Sequence, residues 1–231
     1  MEYFNVSKLV RKISMKICQI CSVDFTVKKF LIPLIDDLEN NNHEVTIVCS
    51  KGEYFEELNK KYKMYNIKIT RNFNIFNHLL SLFRIFFFLK KNKFDIVHVH
   101  TPIASIISRI AAKLAGVKLI VYTAHGYYFH ENMNKYYKKF HILIEVLLGK
   151  ITNLLFLQSY EDYLDTIKFN INKKEKSFHI GNGVNTKIFD PNLYIRRTYE
   201  IDSIFNVGFL GRFVEEKGIL EFLEAAKKII N

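Results

Sequence analysis

DIVHVHTPIASIISRIAAKLAGVKLIVYT, residues 95–123, is the segment that most strongly indicates the fold. Its two ends, DIVHVH and KLIVYT, are short runs rich in β-branched residues, which is typical of buried strands. The segment between them predicts a helix near Ala104 to Leu114, and Gly116 is placed to close it. A strand, a helix and a second strand in this order predict neighbouring parallel strands of an α/β sheet.

The same alternation continues on both sides of this stretch, starting at Met15. Further strands are predicted at MKICQIC (15–21), EVTIVC (44–49), NIKIT (66–70), NLLFLQ (153–158) and KSFHI (176–180). Further helices are predicted near Val27 to Asn41, Tyr54 to Tyr62, Phe76 to Lys91, Lys135 to Leu148 and Tyr160 to Phe169. Ser159 with Asp162 resembles a capping box at the start of the last helix. The pattern predicts a Rossmann-like, doubly wound parallel sheet.

The length of 231 residues corresponds to about one and a half domains. Residues 1–14 are predicted to be a lead segment, either disordered or wrongly assigned as coding sequence. The first domain then covers residues 15–190, and a linker covers 191–203. Residues 204–231 are predicted to contain one strand, IFNVGFL, and one helix. Because such a pair cannot bury a core alone, it is interpreted as the start of a truncated second Rossmann-like domain.

The formal net charge of +11 comes mainly from lysine, since only seven of the 34 basic residues are arginine. Dispersed lysines favour compositional bias over a dedicated anionic partner, because bidentate recognition of phosphate favours arginine. No nucleic-acid-binding motif accompanies the charge, so nucleic acid is not expected as a partner.

Cys18, Cys21 and Cys49 are the only cysteines. The C-x-x-C pair lies in a predicted strand, where residues three apart point to opposite faces. A shared metal ion is therefore not expected, and we interpret the thiols as buried. An odd number of cysteines, with no signal peptide, fits a reducing cytoplasm.

Candidate site residues follow two predicted strands, at the edge where such sheets bind ligands. VHVHTP places His98 and His100 on one face, and YTAHGYYFH follows the next strand. His125 is the best single candidate, because Gly126 lets a ligand approach the backbone beside its imidazole. A histidine that is merely hydrogen-bonded in a loop is the alternative, and His98, inside its strand, is predicted to be structural.

The segment GRFVEEKG, residues 211–218, combines a glycine turn with two cations. Arg212 and Lys217 follow a predicted strand and precede a predicted helix, an arrangement suited to gripping phosphate. Gly211 lets the backbone come close to such a ligand.

Together, YTAHG, the turn IGNGVNTKIFDP (180–191) and the strand-GRFVEEKG-helix unit resemble family 4 glycosyltransferases of the GT-B fold. TVKKFLIPLIDDL resembles the subset that builds capsular, exopolysaccharide or lipid-linked glycans. The resemblance implies two facing Rossmann-like domains, a nucleotide-sugar donor and a glycan or lipid-linked acceptor. It implies that Arg212 and Lys217 hold the donor diphosphate and that His125 faces the donor sugar. It further implies a retaining reaction without a metal or other cofactor.

Two departures from the family pattern affect the candidate residues. CSVDFTVKKFLIP, residues 21–33, lacks the diglycine of many members. The candidates for the acceptor side are Asp24, Phe25, His100 and Tyr127. The second departure is that the resemblance places the family's E-x7-E element further downstream in the second domain, beyond Asn231. Glu216 and Glu224 match its spacing, but they lie in the wrong helix and are not expected to act as that element.

FNHLLSLFRIFFFLKK is apolar almost all round, which favours a buried helix and leaves contact with an anionic bilayer as the alternative. No apolar run reaches the length of a membrane span. The expected location is therefore the cytoplasm, with peripheral association at the inner face of the cell membrane as a further expectation. Two functions remain open: a glycosyltransferase, which this chain alone would not complete, or a non-catalytic remnant or partner subunit that binds glycan, lipid or another chain.

Overall fold

The computed structural model describes residues 14–70, 74–131, 133–193, 207–211 and 213–230. Most of the predicted lead segment and linker, and Arg212, lie outside these residues. The chain divides into two compact units, Met1–Gly183 and Val184–Asn231. The boundary between the two units thus lies directly after Gly183, whereas the sequence predicts a first domain that ends at residue 190.

The first unit contains one seven-stranded sheet in which all neighbouring strands are parallel. Its strands are β1 (Lys16–Val23), β2 (Glu44–Ser50), β3 (Met64–Asn66), β4 (Ile96–His100), β5 (Leu119–Ala124), β6 (Leu154–Leu157) and β7 (Ser177–His179). The spatial order is β3-β2-β1-β4-β5-β6-β7. This order confirms the predicted Rossmann-like parallel sheet.

Helices connect the strands. The helix after β1, called α1, has three consecutive segments, Asp24–Thr26, Val27–Leu31 and Ile32–Asn40. The others are α2 (Phe55–Asn59), α3 (Ile75–Asn92), α4 (Pro102–Ala115), α5 (Lys135–Gly149) and α6 (Tyr160–Lys168), with α7 (Ile219–Ile230) in the second unit. The middle segment of α1 is π-helical. Pro33 explains it, because proline has no N–H and its ring clashes with the carbonyl four residues earlier.

Local sequence signals fix several helix ends. The side chain of Ser159 accepts a hydrogen bond from Asp162 N, which confirms the predicted cap of α6. Gly116 ends α4 with φ at 79°, a conformation that costs glycine little. Asn74 and Asn134 cap α3 and α5 in the same way as Ser159 caps α6.

The core lies on both faces of the sheet. Cys18 packs in the larger cluster, whereas Cys21 and Cys49 pack in the smaller one. All three thiols are buried and free. The prediction that the C-x-x-C side chains point to opposite faces is therefore confirmed.

Helix α3 is not buried, so the favoured interpretation of its sequence is wrong. Only Ser81, Ile85 and Leu89 are buried among its residues. Ser81 faces inward, and its Oγ lies 2.7 Å from both Lys68 O and Asn77 O, either of which can accept its one hydrogen. The outward side of α3 carries large apolar residues: Ile75, Phe76, Leu79, Leu80, Phe83 and Phe87.

The second unit differs from the predicted strand and helix. Residues 204–206 lie outside the described residues, and 207–210 form no strand. A strand needs a neighbour to receive its backbone hydrogen bonds, and the described part of this unit contains no other strand. The predicted helix is present as α7 and follows Gly218 at φ 73°. The centroid of the Phe209 ring lies 6.0 Å from that of Phe213 and 5.5 Å from that of Phe222.

Candidate functional site

The strand order places a topological switch between β1 and β4. From β1 the chain proceeds to β2 and β3 on one side, and it then crosses to β4 on the other. In open α/β sheets, ligands bind outside the carboxyl ends of the strands at such a point. The residues that follow β1, β4 and β5 therefore define the candidate site.

Ser22 and Thr101 join the two strands at the switch. Thr101 Oγ1 lies 2.8 Å from Ser22 Oγ and accepts a hydrogen bond from Ser22 N at 3.2 Å. Thr101 has φ at 63°, which is rare for a β-branched residue. Such strain is held in place by surrounding contacts and is concentrated at functional sites. Neither residue was predicted from the sequence, although Thr-Pro directly after a strand was the available signal.

Asp24 holds the loop that follows β2. One carboxylate oxygen accepts hydrogen bonds from Gly52 N and Tyr54 N, both at 2.9 Å. The other accepts from Phe25 N at 2.8 Å. A methyl group on Gly52 would lie 2.5 Å from Asp24 Oδ1, so the glycine is required for this close approach. Asp24 is buried and fully bonded, whereas the Phe25 side chain beside it is exposed.

His125 lies just beyond β5 and is partly exposed. Its Nε2 is 3.2 Å from His100 Nδ1, and its Nδ1 is 2.9 Å from Gln158 Oε1. The ring of Phe30, from α1, lies 6.0 Å away. Burial lowers the pKa of His125, and the hydrogen bond with Gln158 opposes that effect. Gly126 has φ at 123°, and a methyl group added to it would meet no atom within 4 Å, which fits the predicted open approach.

The other two histidines of this edge are buried in β4. His98 Nε2 lies 2.8 Å from Thr123 Oγ1, and His100 Nε2 lies 2.8 Å from Gln19 Oε1. Burial lowers the pKa of His98 to about 3 and holds the pKa of His100 well below its ordinary value. The structure thus places His100 directly behind His125.

Tyr127 points into the protein. Its hydroxyl lies 2.7 Å from Thr166 Oγ1, and its ring stacks on Phe129 with centroids 4.9 Å apart. Its N–H donates to Asp162 Oδ2 at 3.2 Å, which fixes the loop after His125 on the start of α6. Burial raises the pKa of Tyr127 well above its ordinary value.

The predicted phosphate-binding residues belong to the second unit. Arg212 lies outside the described residues. Lys217 is exposed and ends the short 3₁₀ turn Glu215–Lys217, directly before Gly218 and α7. Gly211 is exposed as well. The side chain of Glu216 is not among those described, and Glu224 is exposed on α7.

Within the described part of the chain, no group of three or more His, Cys, Asp or Glu residues is arranged to hold a metal ion. The same residues contain no helix with the length and hydropathy needed to cross a membrane.

The parallel sheet and the site at its switch point define a Rossmann-like α/β protein of the GT-B type. The family model described as Glycosyl transferase 4-like matches residues 16–159. The matched span includes β1 to β6 and ends with the residue after Gln158. The chain therefore belongs to this glycosyltransferase family.

Curated relatives are named as glycosyltransferases. An Escherichia coli relative, named UDP-Gal:alpha-D-GlcNAc-diphosphoundecaprenol alpha-1,3-galactosyltransferase, is 30% identical over 208 residues, which cover 84% of this chain and 52% of the relative. A capsular polysaccharide biosynthesis glycosyltransferase of Staphylococcus aureus is 25% identical over 85% of this chain and 53% of its own length. The chain thus spans about half the length of these curated relatives.

Solved structures share the fold. A Rickettsia africae glycosyltransferase matches with a TM-score of 0.68 and 22% identity, over 94% of this chain and 57% of its own. An Anabaena protein in complex with UDP and glucose matches with a TM-score of 0.58 and 16% identity, over 76% of this chain and 46% of its own. A UDP-GlcNAc 2-epimerase of Methanocaldococcus jannaschii also matches, with a TM-score of 0.57, 24% identity and coverage of 73% and 46%. The fold alone therefore does not select the reaction.

Proposed function

We propose that the chain is the acceptor-side part of a glycosyltransferase that moves a sugar from a nucleotide-sugar donor to a glycan or lipid-linked acceptor. The observation that carries the proposal is the position of His125 and Gly126 at the carboxyl edge of the sheet, in a chain of the Glycosyl transferase 4-like family. The names of the curated relatives support a place in cell-surface polysaccharide synthesis.

In the proposed reaction, His125 positions the donor sugar, and Arg212 and Lys217 bind its diphosphate. Negative charge develops on the leaving diphosphate, so preorganised cations there lower the barrier. Arg212 supplies a planar fork of donors, and Lys217 adds a compact charge. We propose retention of the anomeric configuration, with the leaving phosphate helping to deprotonate the acceptor hydroxyl, and no metal or other cofactor.

Contact with a membrane surface is part of the proposal. The acceptor in the name of the Escherichia coli relative is a diphosphate-linked lipid. The exposed apolar side of α3 ends in Lys90 and Lys91, which are both exposed. Aromatic side chains that enter the interface, together with lysines that meet anionic headgroups, fit peripheral binding at the inner face of the cell membrane.

The test joins the chain after Asn231 to the remaining donor-domain sequence of a related glycosyltransferase and measures sugar transfer. We expect Arg212→Ala or Lys217→Ala to cost on the order of 2 to 4 kcal/mol of transition-state stabilisation. Glu224→Ala, on the surface of α7, is the matched control and should be nearly neutral. If Arg212→Ala leaves donor affinity and turnover unchanged while Glu224→Ala abolishes transfer, the assignment of this segment is wrong. Glycan or lipid binding without any transfer would favour the non-catalytic subunit.

A further inference from the structure

Four side chains form a continuous row of hydrogen bonds at the carboxyl edge of the sheet. Gln19 Oε1 lies 2.8 Å from His100 Nε2, and His100 Nδ1 lies 3.2 Å from His125 Nε2. His125 Nδ1 lies 2.9 Å from Gln158 Oε1. We call these residues the glutamine–histidine row. Both ring nitrogens of His125 therefore have protein partners.

Counting hydrogens limits the states of the row. Each hydrogen bond needs one hydrogen and one lone pair. If both amide oxygens face a ring nitrogen, His100 and His125 must share three ring hydrogens and carry one positive charge. Burial opposes that charge, because it lowers the pKa of both histidines. At neutral pH the rings therefore hold two hydrogens, and one amide must present its NH₂ group to the row.

Gln19 is the amide whose NH₂ group gains a partner by turning. Its side chain is fully buried, and with its oxygen toward His100 its Nε2 has no partner among the described residues. The two ends of an amide have nearly the same shape, so the orientation follows the hydrogen bonds. Turning gives the NH₂ group His100 Nε2 as acceptor and leaves the oxygen unpaired. A buried unpaired carbonyl is more common than a buried unpaired N–H.

We propose that Gln19 and His100 are positioning residues that fix the tautomer of His125. In the neutral row, Gln19 donates to His100 Nε2, His100 Nδ1–H donates to His125 Nε2, and His125 Nδ1–H donates to Gln158. Gln19 thus determines which ring nitrogen of His125 carries the hydrogen, although Gln19 does not contact that ring. The row stands on its own geometry, and only its use in sugar transfer rests on the proposed function.

The surroundings contain few other titratable groups. His98, also on β4, has its ring centroid 4.2 Å from that of His100, and its Nε2 is engaged with Thr123. From α6, Asp162 accepts from the N–H of Tyr127 rather than from His125. On the side of α1, the uncharged ring of Phe30 has its centroid 6.0 Å from that of His125. The direction in which hydrogens are donated along the row is therefore determined by the two amides at its ends.

This direction determines what His125 offers to a ligand. A group that replaces Gln158 meets the Nδ1–H, so His125 acts as a hydrogen-bond donor and not as a base. A donated hydrogen bond to a sugar hydroxyl oxygen positions the sugar without taking its proton. At lower pH the row takes up a third hydrogen, and Gln19 turns its oxygen back toward His100.

The first experiment is long-range ¹H–¹⁵N NMR of the ring nitrogens in the 231-residue chain, at a pH where both rings are neutral. The chain has eight histidines, so His100→Asn and His125→Gln variants assign the two signals. We expect both rings to carry their hydrogen on Nδ1. Finding the hydrogen on Nε2 of both rings would overturn the proposal.

Two isosteric variants test the control by Gln19. A carboxylate only accepts, so at a pH where both rings of Gln19→Glu stay neutral the row should reverse and place the hydrogen of His125 on Nε2. Gln158→Glu is the matched control: it touches His125 directly, yet it should keep the hydrogen on Nδ1. An unchanged His125 tautomer in folded Gln19→Glu contradicts the proposal. Should that variant not fold, the tautomers of the unaltered chain decide the question. Because no donor or acceptor is needed, this result is independent of whether the protein transfers sugar.

Discussion

At the scale of single residues, the site edge is built from histidines that the fold keeps neutral. His98 and His100 lie inside β4, where water cannot stabilise an imidazolium. Their hydrogen-bond partners are uncharged instead: Thr123 for His98, and Gln19 and His125 for His100. Neutral rings behind His125 avoid repulsion in the site, but they make folding sensitive to acid.

The pH dependence of stability follows from the pKa of His98. In the unfolded chain His98 takes up a proton below about pH 6.5, whereas in the folded protein it does so only at about pH 3. Between these values the unfolded state binds more protons, so the free energy of unfolding falls as the pH falls. We expect His98 to contribute a slope of up to ~1.4 kcal/mol per pH unit near pH 5.

Urea denaturation at pH 5, 6 and 7 measures this slope. His98→Leu should lower this slope near pH 5 by up to ~1.4 kcal/mol per pH unit, which corresponds to one bound proton. His130→Leu, in an exposed position, should leave the slope unchanged. Equal slopes in the unaltered protein and His98→Leu would show that His98 is not held neutral.

At the scale of elements, one buried ion pair joins α4 to α5. Arg109 donates to Glu145 Oε2 at 2.8 Å, and their side chains are only 1% and 9% exposed. The guanidinium also lies 4.3 Å from the centroid of the Tyr122 ring on β5 and donates to Ser105 O. The pair thus fixes both helices against the strand that leads to His125.

Breaking this pair should be costly. Glu145→Ala leaves the Arg109 charge buried without its partner, which we expect to lower the free energy of unfolding by about 3–5 kcal/mol. Lys63→Ala is the control, because its 2.7 Å bond to Glu44 is largely exposed and should be worth about 1 kcal/mol or less. Chemical denaturation compares the two variants, and similar losses would contradict a special role for the buried pair.

Helix α3 should bind anionic membranes through its outward side. Phe76 and Phe87 are 82% and 65% exposed. Replacing both with serine should weaken binding to phosphatidylglycerol vesicles by about tenfold or more in co-sedimentation, because buried aromatic area supplies the affinity. Tyr160→Ser, an exposed aromatic on α6, is the control. If the Phe76→Ser/Phe87→Ser variant binds these vesicles as strongly as Tyr160→Ser does, α3 is not the membrane surface. If the unaltered chain binds neutral vesicles as strongly as anionic ones, the preference for anionic membranes is contradicted.

The sequence predicted the positions of helices and strands better than it predicted which of their faces other elements cover. The strand–helix–strand unit of residues 95–123 was predictable because local apolar runs and Gly116 determine it. The exposure of α3 was not, because periodicity tells which residues share a face but not which face another element covers. Likewise, His125 was marked by the following Gly126, whereas Gln19 gave only the weak signal of one amide in an apolar strand. Its partner His100 is 81 residues away, and only the fold brings them together.

For the molecule as a whole, the central proposal is that this chain supplies the acceptor side of a glycosyltransferase. The family match lies within the first unit, whereas the proposed cations lie in the second. The chain spans about half the length of its curated relatives, so the proposed donor site needs further sequence. Activity should therefore depend on both His125 and the added donor domain.

The most direct measurement is transfer of radiolabelled sugar from a nucleotide-sugar to a diphosphate-linked lipid acceptor. UDP-galactose and a GlcNAc-diphosphate lipid are the first probes, as the name of the Escherichia coli relative suggests. The account predicts transfer by the chain joined to a related donor domain, none by the 231-residue chain alone, and a loss of tenfold or more in joined His125→Ala but not in joined His130→Ala. Transfer by the chain alone, or full activity in joined His125→Ala, would contradict it.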